Sequence, residues 1–281
     1  MAERWRGWRG VVVVAGLVAG GCAGAAGCSG SGGGGDGGGD ARGGEVVELL
    51  HGAADTLRQA GSSKTRTSME MAAGGTRVTI RGEGVYDYHR QLGRLKVLLP
   101  QDPAGASEHR SIIELLAPGA LFMKNRGAGV PDDKWVRVET ATLSDGNLVT
   151  GGATDPFAAA EVLRGTRTAT YVGRAELAGT AVRHYRGTAD LAVAAGDASA
   201  GSRGALAAAA KGFATARVPF DVYLDDEGRI RKIRHRFSFV NGRQKGAVAV
   251  ASTTLLYDFG APADVRLPAA RDIYAGRIAE E

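Results

Sequence analysis

The chain has 281 residues, 35 Lys and Arg against 30 Asp and Glu, 44 glycines and two cysteines. That length allows one large domain or two small ones, and the mild positive excess, with no basic block interleaved with aromatics, argues against a nucleic-acid partner. Cys22 and Cys28, both near the N-terminus, supply no disulfide framework and leave a zinc site elsewhere without thiolates.

Arg4, Arg6 and Arg9, with Glu3 as the one acid, precede an apolar run from Val11 to Ala19. This is the order of a secretory signal, too short and too glycine-interrupted to span a bilayer comfortably. Small residues lead up to each cysteine. Ala25-Ala26-Gly27-Cys28 and Ala19-Gly20-Gly21-Cys22 both resemble the lipobox of bacterial lipoproteins. We read 1–27 as a lipoprotein signal peptide and Cys28 as the lipidated residue, because Ser29 and a glycine-rich spacer follow it directly; Cys22 is the alternative. Removing 1–27 leaves 32 basic and 29 acidic residues, a net charge of +3. Residues 28–44 have no means of burying a core and read as a flexible linker, ahead of a folded domain over 45–270 and a tail over 271–281.

Val46, Leu50, Ala53 and Leu57 recur at helical spacing, and Gly61 suits a C-terminal cap, so the pattern predicts an amphipathic helix over 45–60. From Ser63 the period changes to two. Thr67, Met69 and Met71, then Val78 and Ile80 beyond Gly74-Gly75, then 86–89 and 95–99, read as successive strands. Three more follow at 111–116, 120–125 and 134–138. Short turns between sequential strands imply an antiparallel meander, since parallel neighbours need crossovers. Asp155-Pro156 starts a helix that Gly165 closes. Strands resume at 168–176 and 181–190, an alanine-rich helix spans 202–211, and strands at 218–224, 230–239 and 248–259 complete the chain around the Asp225-Asp226-Glu227-Gly228 turn and the Asn241-Gly242 turn signal.

The fold class is therefore α+β: a large curved antiparallel sheet of roughly ten strands, a half-barrel with helices packed on its concave face. Three segments carry a family resemblance. They are Lys134-Trp135-Val136-Arg137-Val138 with the later Asp155-Pro156, Val218-Pro219-Phe220-Asp221-Val222-Tyr223-Leu224-Asp225 with Asp226-Glu227-Gly228-Arg229-Ile230, and Leu256 to Val265. With the lipobox and linker, the chain resembles the actinobacterial LppX/LprAFG-type lipoproteins, which are similar in fold to the LolA/LolB localisation factors. The resemblance covers about 45–268. It implies a half-barrel that holds acyl chains in its concavity and brings no catalytic residues.

The residues give no competing chemistry. There is no G-x-S-x-G elbow, and His51, His89, His109, His184 and His235 are scattered without ligand spacing. The Gly32–Gly39 run neither follows a strand nor opens a helix, and the acidic turn at 225–228 lacks a calcium-loop pattern. We expect no catalytic residue, metal or cofactor. What remains is apolar: Met69, Met71, Val78, Ile80, Ile113, Leu115, Phe122, Phe220, Val222, Phe237 and Phe239 alternate inward. They form either a plain packed core or the lining of a lipid-binding cavity, where methionines suit irregular acyl chains. The expected function is a monomeric, lipid-anchored protein on the extracytoplasmic face of the cell membrane that binds acyl chains of a lipid or lipoprotein. The alternative is an envelope lipoprotein with a filled core whose partner is another protein.

Overall fold

The computed structural model describes residues 37–73, 76–99, 111–127, 129–241 and 246–276. The leader with Cys22 and Cys28, most of the linker, the Gly74-Gly75 turn and Gly242 lie outside the described residues. Helix α1 (Gly37–His51) runs, after a one-residue break at Gly52, into α2 (Ala53–Gln59). It starts eight residues before the expected position, inside the stretch read as linker. Glycine has poor helix propensity, but once 45–51 are helical each added residue gains a bond without a new nucleus.

Eleven strands follow: β1 (Ser62–Ala73), β2 (Thr76–Asp87), β3 (Leu92–Leu98), β4 (Ile112–Ala117), β5 (Ala120–Lys124), β6 (Val136–Glu139), β7 (Thr166–Leu177), β8 (Thr180–Asp190), β9 (Arg217–Leu224), β10 (Ile230–Asn241) and β11 (Gly246–Tyr257). They form one open sheet in the order β6-β5-β4-β3-β2-β1-β11-β10-β9-β8-β7. All named pairs are antiparallel. Two meanders are thus joined in the middle by β1 against β11, with Met69 opposite Ser252 and Thr67 opposite Thr254. This is the curved α+β sheet that the alternation implies.

Helix α3 (Pro156–Val162) starts as expected at Asp155, whose carboxylate accepts from the amides of Phe157 and Ala158. Helix α5 (Ala200–Gly212) matches the alanine-rich segment. Helix α4 (Leu191–Asp197) was not expected; Asp190 caps it by accepting from the amides of Ala192 and Val193. The helices pack on one face of the sheet, and their small residues Ala53, Ala54, Ala159, Ala160, Ala194 and Ala209 join Met69, Leu95, Leu121, Phe220 and Ile233 in one buried cluster. A partly buried network fastens the helical layer together. Arg164 donates to Glu161 at 3.2 Å and to Asp55 at 2.8 Å, and Glu161 accepts from the Ser199 amide at 2.7 Å.

The opposite, outer face carries a smaller cluster of Leu92, Leu115, Ala120, Phe122 and Val265, over which the C-terminal segment runs. Tyr274 donates its amide to the Trp135 carbonyl, and the Trp135 amide donates to Asp272.

β6 and β7 are opposite edges of the sheet, so the chain between them must cross its whole width, ten strand spacings or roughly 48 Å along the sheet. That crossing, residues 140–165, runs over the concave face. It positions the site described next.

Candidate functional site

The crossing opens with a 3-10 turn (Thr140–Thr142) and ends in α3; between them, residues 143–154 form no regular element. Loops normally stay at the surface, where water satisfies their backbone. Here Asp145, Asn147 and Leu148 are buried, and Ala153 and Thr154 are fully so. The segment satisfies itself. The Asp145 carboxylate accepts from the amides of Asn147, Val149 and Thr150 and from the Thr150 hydroxyl, at 2.6–3.1 Å. Asn147 Oδ1 accepts from the Gly151 amide at 3.0 Å. The result is a compact plug.

The plug lies between the sheet and α5. On the sheet side, a Cβ on Gly82 would stand 3.2 Å from Ala153 Cβ, and one on Gly152 would stand 3.3 Å from both Ile80 and Val97. Thr154 Oγ1 lies 2.5 Å from Ser252 Oγ in β11. On the other side, a Cβ on Gly146, whose φ is +58°, would collide with the Ala205 carbonyl oxygen, and one on Gly212 with that of Ser144. Only glycine permits the last two approaches, and a Cβ at Gly82 or Gly152 would be a tight contact.

Beneath the plug the sheet presents polar groups that nothing satisfies. Thr67 Oγ1, both Glu114 carboxyl oxygens and His235 Nε2 are buried without a hydrogen-bond partner among the described residues. Thr67 sits beside Ala153, Glu114 Oε1 faces Gly151, and His235 is the cross-strand neighbour of Ser252. Burial pushes the Glu114 carboxyl up to about 8, with the Arg126 charge pulling the other way. Burial also pushes His235 down to about 3, so the ring is neutral. Asp155 is raised to about 6 by burial, against the bonds from Ala158, Phe157 and Tyr86.

The eleven apolar candidates divide. Met69 and Ile80, which pair across β1 and β2, lie under the plug. Phe220, Val222 and Phe237 are buried on the same face, where Phe213 stacks on Phe237 at 4.8 Å and tilts against Phe239 at 4.6 Å. Met71, Val78 and Phe239 are only partly buried at the edge of this cluster. Ile113, Leu115 and Phe122 correct the expectation of one inward face. On β4 the residues facing the helices are Ile112, Glu114 and Leu116, and on β5 they are Leu121 and Met123. The alternating residues therefore point outward, Leu115 and Phe122 into the outer cluster and Ile113 into a cleft beside it. A run of apolar residues on both faces, Ile112 to Leu116 apart from Glu114, left the phase of β4 ambiguous.

On the helix side, the cleft between Tyr86, Pro118, Gly146, Asp155 and Ala205 holds about 30 Å³. That is far below the several hundred Å³ of an ordinary ligand pocket. Among the described histidines, His184 bonds Asp221 at 2.9 Å, and Arg186 and Arg236 hold the same carboxylate in an ion cluster on the outer face. Among the described residues no three His, Cys, Asp or Glu gather as a metal site, and no helix is long and apolar enough to cross a membrane.

Sequence reasoning missed the plug and the polar groups below it. Asp145-Gly146-Asn147 and Gly151-Gly152 are turn signals that mark a loop there, but nothing local says that the loop is buried.

No family model and no curated protein matches the chain. Among solved structures it is similar to the lipoprotein LppX of Mycobacterium tuberculosis, at 9% identity over 79% of this chain and 98% of that one, with a TM-score of 0.46. It is similar to LprF of Mycobacterium bovis, at 15% identity over 80% and 98%, with a TM-score of 0.43. It is also similar to the Pseudomonas aeruginosa MucA/MucB complex structure, at 16% identity over 84% and 63%, with a TM-score of 0.32.

Proposed function

We propose that the chain is a non-enzymatic binding protein of the cell envelope, tethered through a lipid on Cys28 (or Cys22) to the extracytoplasmic face of the membrane. It takes an acyl chain of a lipid or lipoprotein, for carriage or presentation, on the concave face of β1–β4 and β11 after the 143–154 segment moves away. The observation that carries this reading is the plug itself: an irregular, glycine-containing segment buried where a regular element or large side chains would pack better, above polar groups it leaves unpaired. Each such group costs the closed form about 1–3 kcal/mol, so opening relieves part of what it loses. An entering chain gains on the order of 0.8 kcal/mol per buried methylene.

Met69, Ile80 and Val97 would form the floor under the chain, with Met71 and Val78 at the half-buried end of the sheet as its entrance. The helices, fastened by Arg164, Glu161 and Asp55, would stay in place as the roof. The gate is then the segment between β6 and α3.

A second reading rests on the narrowness of the helix-side cleft, about 30 Å³: a solid core would serve an envelope protein whose surface binds another protein. Native mass spectrometry of the chain purified without detergent, followed by titration with a neutral fluorescent monoacylglycerol, separates the two. A retained acyl ligand or saturable uptake supports the first. An empty protein that takes up nothing leaves the second.

A further inference from the structure

Two further spaces lie on the other side of the sheet. A groove of about 340 Å³ crosses the outer face between two cross-strand rows. One row runs Leu255–Arg66–Glu83–Lys96, the other Thr253–Ser68–Arg81–Leu98. Small Ser68 and Thr253 leave the depression, while Leu98 at 48% and Leu255 at 37% exposure form its apolar walls. A second cleft, of about 650 Å³, opens between β3–β5 and the C-terminal segment, with Ile113, Leu115 and Trp135 as its apolar surface and Arg94, Lys124 and Arg266 around it.

The two meet, because Lys96 of the first is the register partner of Ile113 of the second. Together they form a trough from β11 to β5, five strand spacings or about 24 Å long. Cations outnumber acids along it, with Glu83 and Asp264 as the acids among the lining residues. Arg66, Arg81, Arg94, Lys96 and Lys124 have no carboxylate within ion-pairing distance among the described residues; Arg66 lies over Tyr257 and Lys124 over Trp135, at 5.2 and 5.7 Å. Arg266 is already paired with Asp264. Glu83 is the one acid among the cross-strand neighbours of Arg66 and Lys96.

We infer that this outer trough is a second ligand site, on the face of the sheet opposite the plug, for a single anionic amphiphile: a phosphate- or carboxylate-headed acyl chain. Its head lies among the unpaired cations, where charge-assisted bonds form. Its chain lies along Ile113, Leu115 and Trp135, partly under the C-terminal segment. This gives the three residues that face away from the concavity a role of their own, and it does not depend on whether the plug opens.

Trp135 reports this site. Titrating the full-length chain with dodecyl phosphate below its micelle concentration should give a saturable change in Trp135 emission, absent in Trp135→Phe. Arg94→Glu, at an exposed position, and Lys124→Glu, at a half-buried one beside Trp135, should each weaken it about tenfold relative to their own unliganded emission, and a neutral dodecyl glycol ether should bind more weakly by a similar factor. Inorganic phosphate should give no response. An unsaturable response, equal affinity in both charge-reversal variants, or equal binding of phosphate alone would overturn the inference. Uptake of a neutral monoacylglycerol into the concave face, without a Trp135 response, would leave the proposed function standing on its own.

Discussion

Thr154 Oγ1 donates to the Leu148 carbonyl at 2.8 Å and stands 2.5 Å from Ser252 Oγ. A threonine hydroxyl has one proton, so Ser252 is the donor in the second bond. One residue of the crossing segment is therefore bonded at once to its own plug and to the centre of the sheet. Thr154→Val keeps the shape and removes both bonds, leaving the Leu148 carbonyl and the Ser252 hydroxyl unpaired. Stability should fall by about 1–3 kcal/mol. Amide exchange should quicken in 145–154 well before the sheet, as hydrogen-exchange mass spectrometry would show.

Asp145 organises the plug from within by accepting four hydrogen bonds. Asp145→Ala should leave the sheet folded but lower stability by about 2–3 kcal/mol, since several charge-assisted bonds go together. Neutral monoacylglycerol uptake should become faster. An unchanged uptake rate with a loosened plug would separate the plug from the gate.

Glu114 gives a pH signature. Its folded value of about 8 lies above the ordinary 4.5, so the folded state holds the proton while the unfolded chain has lost it. Stability then falls as pH rises through that window, by about 1.4 kcal/mol per unit, and levels off above about 8. His235, depressed to about 3, acts only below 6.5, and Asp155, raised to about 6, acts only below that value. Denaturant unfolding between pH 6.5 and 8 therefore isolates Glu114. Wild type should lose stability across it, and Glu114→Gln should be flat and more stable at pH 8.

Asp221 predicts the opposite sign. Burial raises its carboxyl, but the bonds from Arg186, His184 and Arg236 outweigh this and hold it at about 2. Its contribution is full above the ordinary 3.8 and is lost as pH falls towards 2. Asp221→Ala should lower stability near neutrality by about 1–3 kcal/mol and reduce its acid dependence, while leaving acyl uptake unchanged. Chemical unfolding at pH 7 and pH 3 checks both.

The sheet was legible because its signal is local. Alternation at Val218, Phe220, Val222 and Leu224, or at Ile233, His235, Phe237 and Phe239, survives whatever the tertiary context. The phase of β4 was not, since Ile112 to Leu116 is apolar on both faces and only its partners decide which side faces the helices. The plug was invisible for a different reason. Its burial follows from β6 and β7 standing at opposite edges, a property of strand order that no single segment carries. The unpaired oxygens of Glu114 depend on the same long-range placement. The anchor at Cys28 or Cys22 rests on sequence alone.

The central claim is that the concave face accepts an acyl chain only when 143–154 leaves it. Thr154→Cys with Ser252→Cys, on a Cys22→Ser and Cys28→Ser background, places a single thiol pair where the two hydroxyls now touch. Uptake of a neutral fluorescent monoacylglycerol is then measured in the oxidised and the reduced chain. The account predicts saturable uptake when reduced and none when the disulfide pins the plug. Equal uptake in both states would contradict it.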